Sequence, residues 1–176
     1  MKYILFLCTD NYTRSITAEF CLRDYMQKHN LPLTVASAGF QADSDVSRFS
    51  DIHFKRMAEL GIDTSTFTRT PFFEDMLDKY DVVVAMGREH QDYIKTQYNR
   101  SVPLFYEIYK NESQSVTVPP PDSAGTYLKS IERMVDEMYE AMPVLVRNLI
   151  SLESDRKNLQ SDRKNPQSDR IKLFNK

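Results

Sequence analysis

Cysteine is scarce: Cys8 and Cys21 are the only two among 176 residues. Two thiols make no disulfide framework, and in an unexported chain they stay reduced. Histidine is scarce too. His29, His53 and His90 lie far apart and form no ligand-spaced cluster with either cysteine, so the sequence supplies no metal site. Long apolar runs are missing. The longest near the N-terminus, Tyr3 to Cys8, is far shorter than a signal-peptide core or a spanning helix. Neither sign of charge dominates, with 23 Lys and Arg against 25 Asp and Glu and a sequence pI of about 5.9. That balance argues against broad nucleic-acid binding and provides no field toward an anionic membrane. The reading is a soluble, cytoplasmic protein with no metal or other cofactor.

What is present is an alternation of short apolar strands and amphipathic helices. Tyr3-Ile4-Leu5-Phe6-Leu7 has the unbroken hydrophobicity of a strand buried on both faces. Arg14 to Lys28 reads as a helix, Leu33 to Ser37 as a strand, and Ser50 to Leu60 as a helix stopped by Gly61. Pro71 opens a candidate helix over Phe72 to Lys79. Asp81 to Met86 is a second clear strand, Arg88 to Gln97 a helix, and Val102 to Tyr106 a weaker fourth strand. After the proline-rich stretch Val118 to Asp122, a long helix begins near Tyr127, and Pro143 is expected to kink or interrupt it. The pattern predicts an α/β fold, a mainly parallel sheet with ligands bound beyond the carboxyl ends of its strands.

The organisation changes near residue 150. Residues 1–150 read as one domain, and 151–176 as a polar tail. Ser154 to Gln160 is nearly repeated as Ser161 to Gln167, with a partial third copy from Ser168. The copies hold too few apolar residues for a coiled-coil seam. With seven Lys and Arg against four Asp and Glu from Ser151 onward, the tail reads as a solvated, mobile extension of the last helix or as a weak interaction segment.

The chemistry concentrates in Cys8-Thr9-Asp10-Asn11-Tyr12-Thr13-Arg14-Ser15. A Cys followed six positions later by Arg occurs by chance for about one Cys in twenty. Here, however, the Cys ends a buried strand and the Arg opens a helix. Helix-start amides lack internal partners and the helix dipole adds positive potential, so a short loop at this point can wrap a phosphate. Thr9 to Thr13 would supply the cradle, and Arg14 a two-toothed contact. The same field favours a thiolate at Cys8, which can attack phosphorus and form a phosphocysteine that water hydrolyses. Ser15 can donate a hydrogen bond to the sulfur.

These residues resemble the low-molecular-weight protein tyrosine phosphatases. The likeness runs from Ile4-Leu5-Phe6-Leu7-Cys8, Asn11, Arg14-Ser15 and Ala18-Glu19 through Ser37-Ala38-Gly39, Glu59-Leu60-Gly61-Ile62 and Asp81 to Met86, and it reaches Val118-Pro119 and the final helix. It implies a four-stranded parallel sheet flanked by helices on both faces, a phosphate-binding loop after the first strand, and metal-free hydrolysis. By the same resemblance Asn11 shapes the loop, while Ser15 and Ser37 support loop and thiolate. Substrates would be phosphorylated proteins or small aryl phosphates, phosphotyrosine above all, with inorganic phosphate as ligand and inhibitor.

The departures from the family fall at the site. Where the family carries its general acid, an Asp between two prolines, this chain has Pro120 in Val118-Pro119-Pro120-Pro121-Asp122. Asp122, two residues on, is a candidate substitute acid and equally a candidate helix cap. Aromatics that wall the family's slot are replaced by Asp122 and Ser123, and Asp43 stands near another. Tyr12 takes a position usually small or aliphatic, from which it could stack on an aryl group or cover the pocket. Asp10 replaces a common Gly, and its carboxylate would repel phosphate unless it points away. Besides phosphatase activity, the residues admit a phosphate- or phosphopeptide-binding module with weak or lost turnover. They also admit a protein-arginine phosphatase, which the bulk of Tyr12 opposes. A thiol-coupled arsenate reductase would need cysteines downstream of Cys21, and there are none.

Overall fold

The structure, a computed structural model, describes residues 2–122 and 124–164, with side chains as far as residue 153. In chain order the elements are β1 (Tyr3–Cys8), α1 (Arg14–Lys28), β2 (Thr34–Gly39), α2 (Ile52–Glu59), α3 (Met76–Lys79), β3 (Val82–Ala85), α4 (Arg88–Tyr98), α5 (Phe105–Lys110) and α6 (Thr126–Lys164). β1 lies at the centre of the sheet, in the order β2-β1-β3, and both its neighbours are parallel to it. That central place explains its unbroken hydrophobicity. Ile4, Phe6 and Cys8 face one core with residues of α1 and α6, while Leu5 and Leu7 face a second core with Ile94 of α4. Each large side chain so buried contributes about 1.5–3 kcal/mol of transfer free energy.

Three strands are present among the described residues where four were expected. Val102 to Tyr106 contributes only an isolated bridge, Ala85 to Leu104, with the Ala85 N–H donating to the Pro103 carbonyl at 2.9 Å. Two local causes stop it growing. Pro103 has no N–H to give a ladder. The Leu104 N–H donates at 2.8 Å to the Glu107 carboxylate, which starts α5 at Phe105. The third expected helix is also shorter, a single turn at Met76–Lys79. Pro71 instead makes an extended bridge to Gly39.

α6 passes through Pro143 without a break. The proline is exposed, and Met138, Ala141, Met142, Leu145, Val146 and Leu149 are buried on both sides of it. That packing offsets the roughly 3 kcal/mol that an internal proline costs. The helix continues to Lys164, so the first repeat copy and the opening of the second are helical. The rest of the repeat tail lies outside the described residues. No helix among the described residues is long and apolar enough to cross a membrane.

Parallel pairing sets Cys8 opposite Gly39 at the carboxyl end of β1, with the loop to α1 beyond it. Gly39 is required there. A Cβ built on it would lie 2.6 Å from the Asn11 nitrogen and 2.7 Å from the Thr9 carbonyl, so the loop backbone rests directly on this residue.

Candidate active site

Cys8 is buried at the end of β1, and two donors approach its sulfur. The Asn11 N–H points at Sγ from 3.3 Å, and the Ser15 hydroxyl lies 2.9 Å away. Asn11 bends the loop with φ of 50°, a left-handed conformation that asparagine tolerates better than most residues. Its side chain is fully buried and fully employed. Nδ2 donates to Ser15 Oγ at 3.0 Å and to Ser37 Oγ at 2.7 Å, while Oδ1 accepts from the Thr70 N–H at 2.6 Å.

The direction of this network follows from the donor inventory. Ser15 accepts from Asn11, which leaves its proton for the Cys8 sulfur. Ser37 also accepts from Asn11 and donates to Glu19 Oε2 at 2.6 Å. Glu19 is paired with Arg23, and burial pushes its carboxyl above the ordinary range against the lowering effect of Ser37 and Arg23. Glu19 and Arg23 stand four residues apart on α1, a spacing visible in the sequence, whereas the bond to Ser37 is long-range.

The cleft above Cys8 has a volume of about 330 Å³. Cys8, Asp10, Thr13 and Arg14 contribute its floor and near side. Phe49 and Ser50 come from the segment before α2, Val118 to Pro121 from the proline-rich stretch, and Tyr127 and Ile131 from the start of α6. Thr9, Asn11 and Tyr12 are not among the lining residues. Thr9 turns its hydroxyl to His90 at 3.0 Å and to Arg14 at 3.4 Å. The Tyr12 ring packs edge-on against Phe49, His53, Phe54 and Phe67, at centroid distances of 5.1 to 5.9 Å. Tyr12 therefore stands behind the wall, and Phe49 and Tyr127 are the aromatics that line the cleft.

Asp10 lines the cleft, but its Oδ1 accepts from the Ser44 hydroxyl at 2.6 Å. Its backbone carbonyl accepts from Arg69 Nε at 2.9 Å, and Arg69 also holds the Ser44 carbonyl at 2.7 Å. Pro120 lines the cleft as well and has no proton to donate. Asp122 does not line it. Asp122 Oδ1 accepts from the Thr126 N–H at 2.9 Å, and Oδ2 from the Thr126 hydroxyl, at the start of α6. Those bonds, the hydroxyl's first, hold its carboxyl below the usual range, the opposite of what a proton donor near neutral pH requires.

Arg14 opens α1 and reaches across to the first turn of α4. Its Nη1 donates to Glu89 Oε1 at 2.9 Å and to the Val116 carbonyl at 3.2 Å. Partial burial pushes the Glu89 carboxyl up, but the Arg14 hydrogen bond and nearby charge outweigh that and hold it below its ordinary value. His90 is buried, and that burial, reinforced by the Arg14 charge, pushes its imidazole down to about 4. Phe49, Arg69, Glu89 and His90 were not singled out from the sequence. They reach the loop from 37 to 81 positions away, and no local pattern marks them.

Residues 3–164 match the family of low molecular weight phosphotyrosine protein phosphatases. The chain is 28% identical over 148 residues to a protein-arginine-phosphatase of Bacillus subtilis, an alignment that covers 83% of this chain and 95% of that protein. Among solved structures, it is similar to a Cys-to-Ser mutant of the YwlE arginine phosphatase with a phosphorylated active-site serine. That match has 25% identity and a TM-score of 0.70, and covers 88% of this chain and 98% of the other. A protein tyrosine phosphatase from Entamoeba histolytica shares the fold at 20% identity and a TM-score of 0.69, over 87% of this chain and 99% of the other. With residues 3–164 matched in this way, the chain belongs to the low molecular weight phosphotyrosine protein phosphatase family.

Proposed function

We propose that the protein hydrolyses aryl phosphates, phosphotyrosine on proteins foremost, through a phosphocysteine at Cys8. The observation that carries this reading is the floor and wall of one cleft: Cys8 and Arg14 below, Phe49 and Tyr127 beside them. The floor suits a phosphoryl group, and two aromatic side chains among prolines suit a flat, apolar leaving group. Cys8 Sγ attacks phosphorus, the bond from phosphorus to the leaving oxygen breaks, and water then cleaves the S–P bond to release phosphate. Positioning and charge stabilisation by the loop and Arg14 supply most of the acceleration in such transfers. Among the described residues of the wall no carboxylic acid lines the cleft, since Pro120 has none and Asp122 is bonded to Thr126 instead. Good leaving groups are therefore the favoured substrates.

Protein-arginine phosphatase activity is the second reading. It is supported by the similarity to the Bacillus subtilis protein, and the bulk of Tyr12 no longer opposes it, because that ring lies outside the cleft lining. Parallel assays on p-nitrophenyl phosphate, a phosphotyrosine peptide and a phosphoarginine peptide separate the readings. Aryl turnover at least tenfold above phosphoarginine turnover is expected, and the reverse order moves the function to arginine. Cys8→Ser is expected to abolish turnover and leave phosphate binding intact, whereas persisting turnover would remove Cys8 as nucleophile. Phosphate binding without turnover in the unaltered protein would make it a phosphopeptide-binding module. We further read residues 1–150 as the catalytic unit and 151–176 as dispensable for turnover of small substrates.

A further inference from the structure

The first turn of α4, Val116 and the loop after β1 all meet one arginine. Arg14 Nη1 is occupied by Glu89 at 2.9 Å and the Val116 carbonyl at 3.2 Å, and Nη2 reaches Thr9 Oγ1 at 3.4 Å. A guanidinium has five N–H donors. Three of them are thereby engaged, and the two left are Nε–H and one Nη2–H. With the Nη2–H beside Nε as the free one, the two lie on the same edge of the plane and form a fork that matches two phosphate oxygens.

Thr9 is oriented by the same turn. His90 Nε2 lies 3.0 Å from Thr9 Oγ1 and 3.4 Å from Glu89 Oε1, while His90 Nδ1 is buried without a partner among the described residues. A proton on Nε2 leaves only a lone pair unpartnered at Nδ1, the less costly arrangement. Thr9 Oγ1 then accepts from His90 and Arg14, and its own proton is free to point elsewhere. Gly87 completes the device. A Cβ built on it would collide with both carboxyl oxygens of Glu89, so any other residue here would push the carboxylate from its present seat.

We propose that Glu89, seated against Gly87 and His90, is a positioning residue that turns the Nε/Nη2 edge of Arg14 toward the anion in the cleft. The inference rests on the reading of this cleft as a phosphoryl site. It opposes the simpler view that Glu89 competes with phosphate for Arg14, because the carboxylate takes the arginine edge that the anion does not need.

The test uses the full chain and inorganic phosphate as probe, with binding measured by calorimetry and turnover on p-nitrophenyl phosphate. The unaltered protein must bind phosphate, and failure to do so removes the site reading and this inference together. Given that binding, Glu89→Ala should weaken phosphate about tenfold, as loss of a charge-assisted contact predicts, and lower kcat more than it changes KM. Glu89→Gln, which keeps an acceptor for Nη1, should recover part of both. Gly87→Ala keeps the charge and displaces the carboxylate, so it should reproduce the loss, and adding Glu89→Ala to it should cost little more. Unchanged or tighter phosphate binding in Glu89→Ala, or fully additive effects of the two substitutions, would overturn the proposal and leave the site reading standing.

Discussion

The two sides of the cleft are held in different ways. The floor, Cys8 to Ser15, is knit by side chains: Asn11 alone makes three side-chain hydrogen bonds and presents its N–H to the sulfur. The proline-rich wall, Thr117 to Pro121, contains three successive residues without an N–H, and the one carboxylate beside it is bonded to the start of α6 rather than to the cleft. A floor that depends on many mutually satisfied bonds tolerates little change, because removing one partner strands several others. A wall of prolines has few such ties. By the proposed reading, anion binding and the nucleophile lie on the many-bonded side, and no described residue lining the wall carries a carboxylate for proton donation.

The largest way to break that comparison is Asn11→Ala. Three partners lose a side-chain bond and alanine must adopt φ near 50°, so kcat is expected to fall about 10²-fold and stability by about 2–3 kcal/mol. Chemical denaturation and steady-state rates measure both, and a change within twofold in kcat would show that the floor does not depend on this network.

A middle-sized effect concerns pH. Burial lowers His53 and His90 to about 4. Between the unfolded value near 6.5 and that folded value, the unfolded chain binds protons that the folded chain refuses. Stability is therefore fully present above about pH 6.5 and is lost as pH falls toward 4, by up to about 1.4 kcal/mol per unit for each histidine. Glu19, whose folded value burial raises, works the other way and stabilises the acid side, which softens the decline. Thermal melts from pH 7 to 4.5 should show a falling Tm, and a flat profile contradicts the burial of both imidazoles.

The smallest expected effect is Asp122→Asn. The carboxylate caps α6 from an exposed position, so turnover of phosphotyrosine should stay within twofold of the unaltered protein. A tenfold loss would bring Asp122 into the chemistry.

The sequence made the floor legible because its parts are adjacent. β1, the loop and α1 are contiguous, and Cys8, Arg14 and Ser15 follow from the end of a buried strand and the start of a helix. The proline at 120 was legible in the same way. The fourth strand was misread because Val102 to Tyr106 has strand composition, while Pro103 and the Glu107 cap act on hydrogen bonds that composition does not show. Tyr12 was placed in the loop without its direction, which is set by Phe49, His53, Phe54 and Phe67 far along the chain. The grip of Glu89 on Arg14 and of Arg69 on Asp10 is long-range for the same reason.

The central claim is an intact anion floor beneath a wall without a general acid. Its most direct measurement is kcat/KM across a series of aryl phosphates of rising leaving-group pKa, taken in parallel on Pro120→Asp. A positioned acid contributes about 10²–10⁴-fold, so the account predicts a steep fall in the unaltered protein and a shallower one, with faster phosphotyrosine turnover, in Pro120→Asp. A shallow dependence in the unaltered protein would contradict it, because some group in the cleft would then be protonating the leaving oxygen.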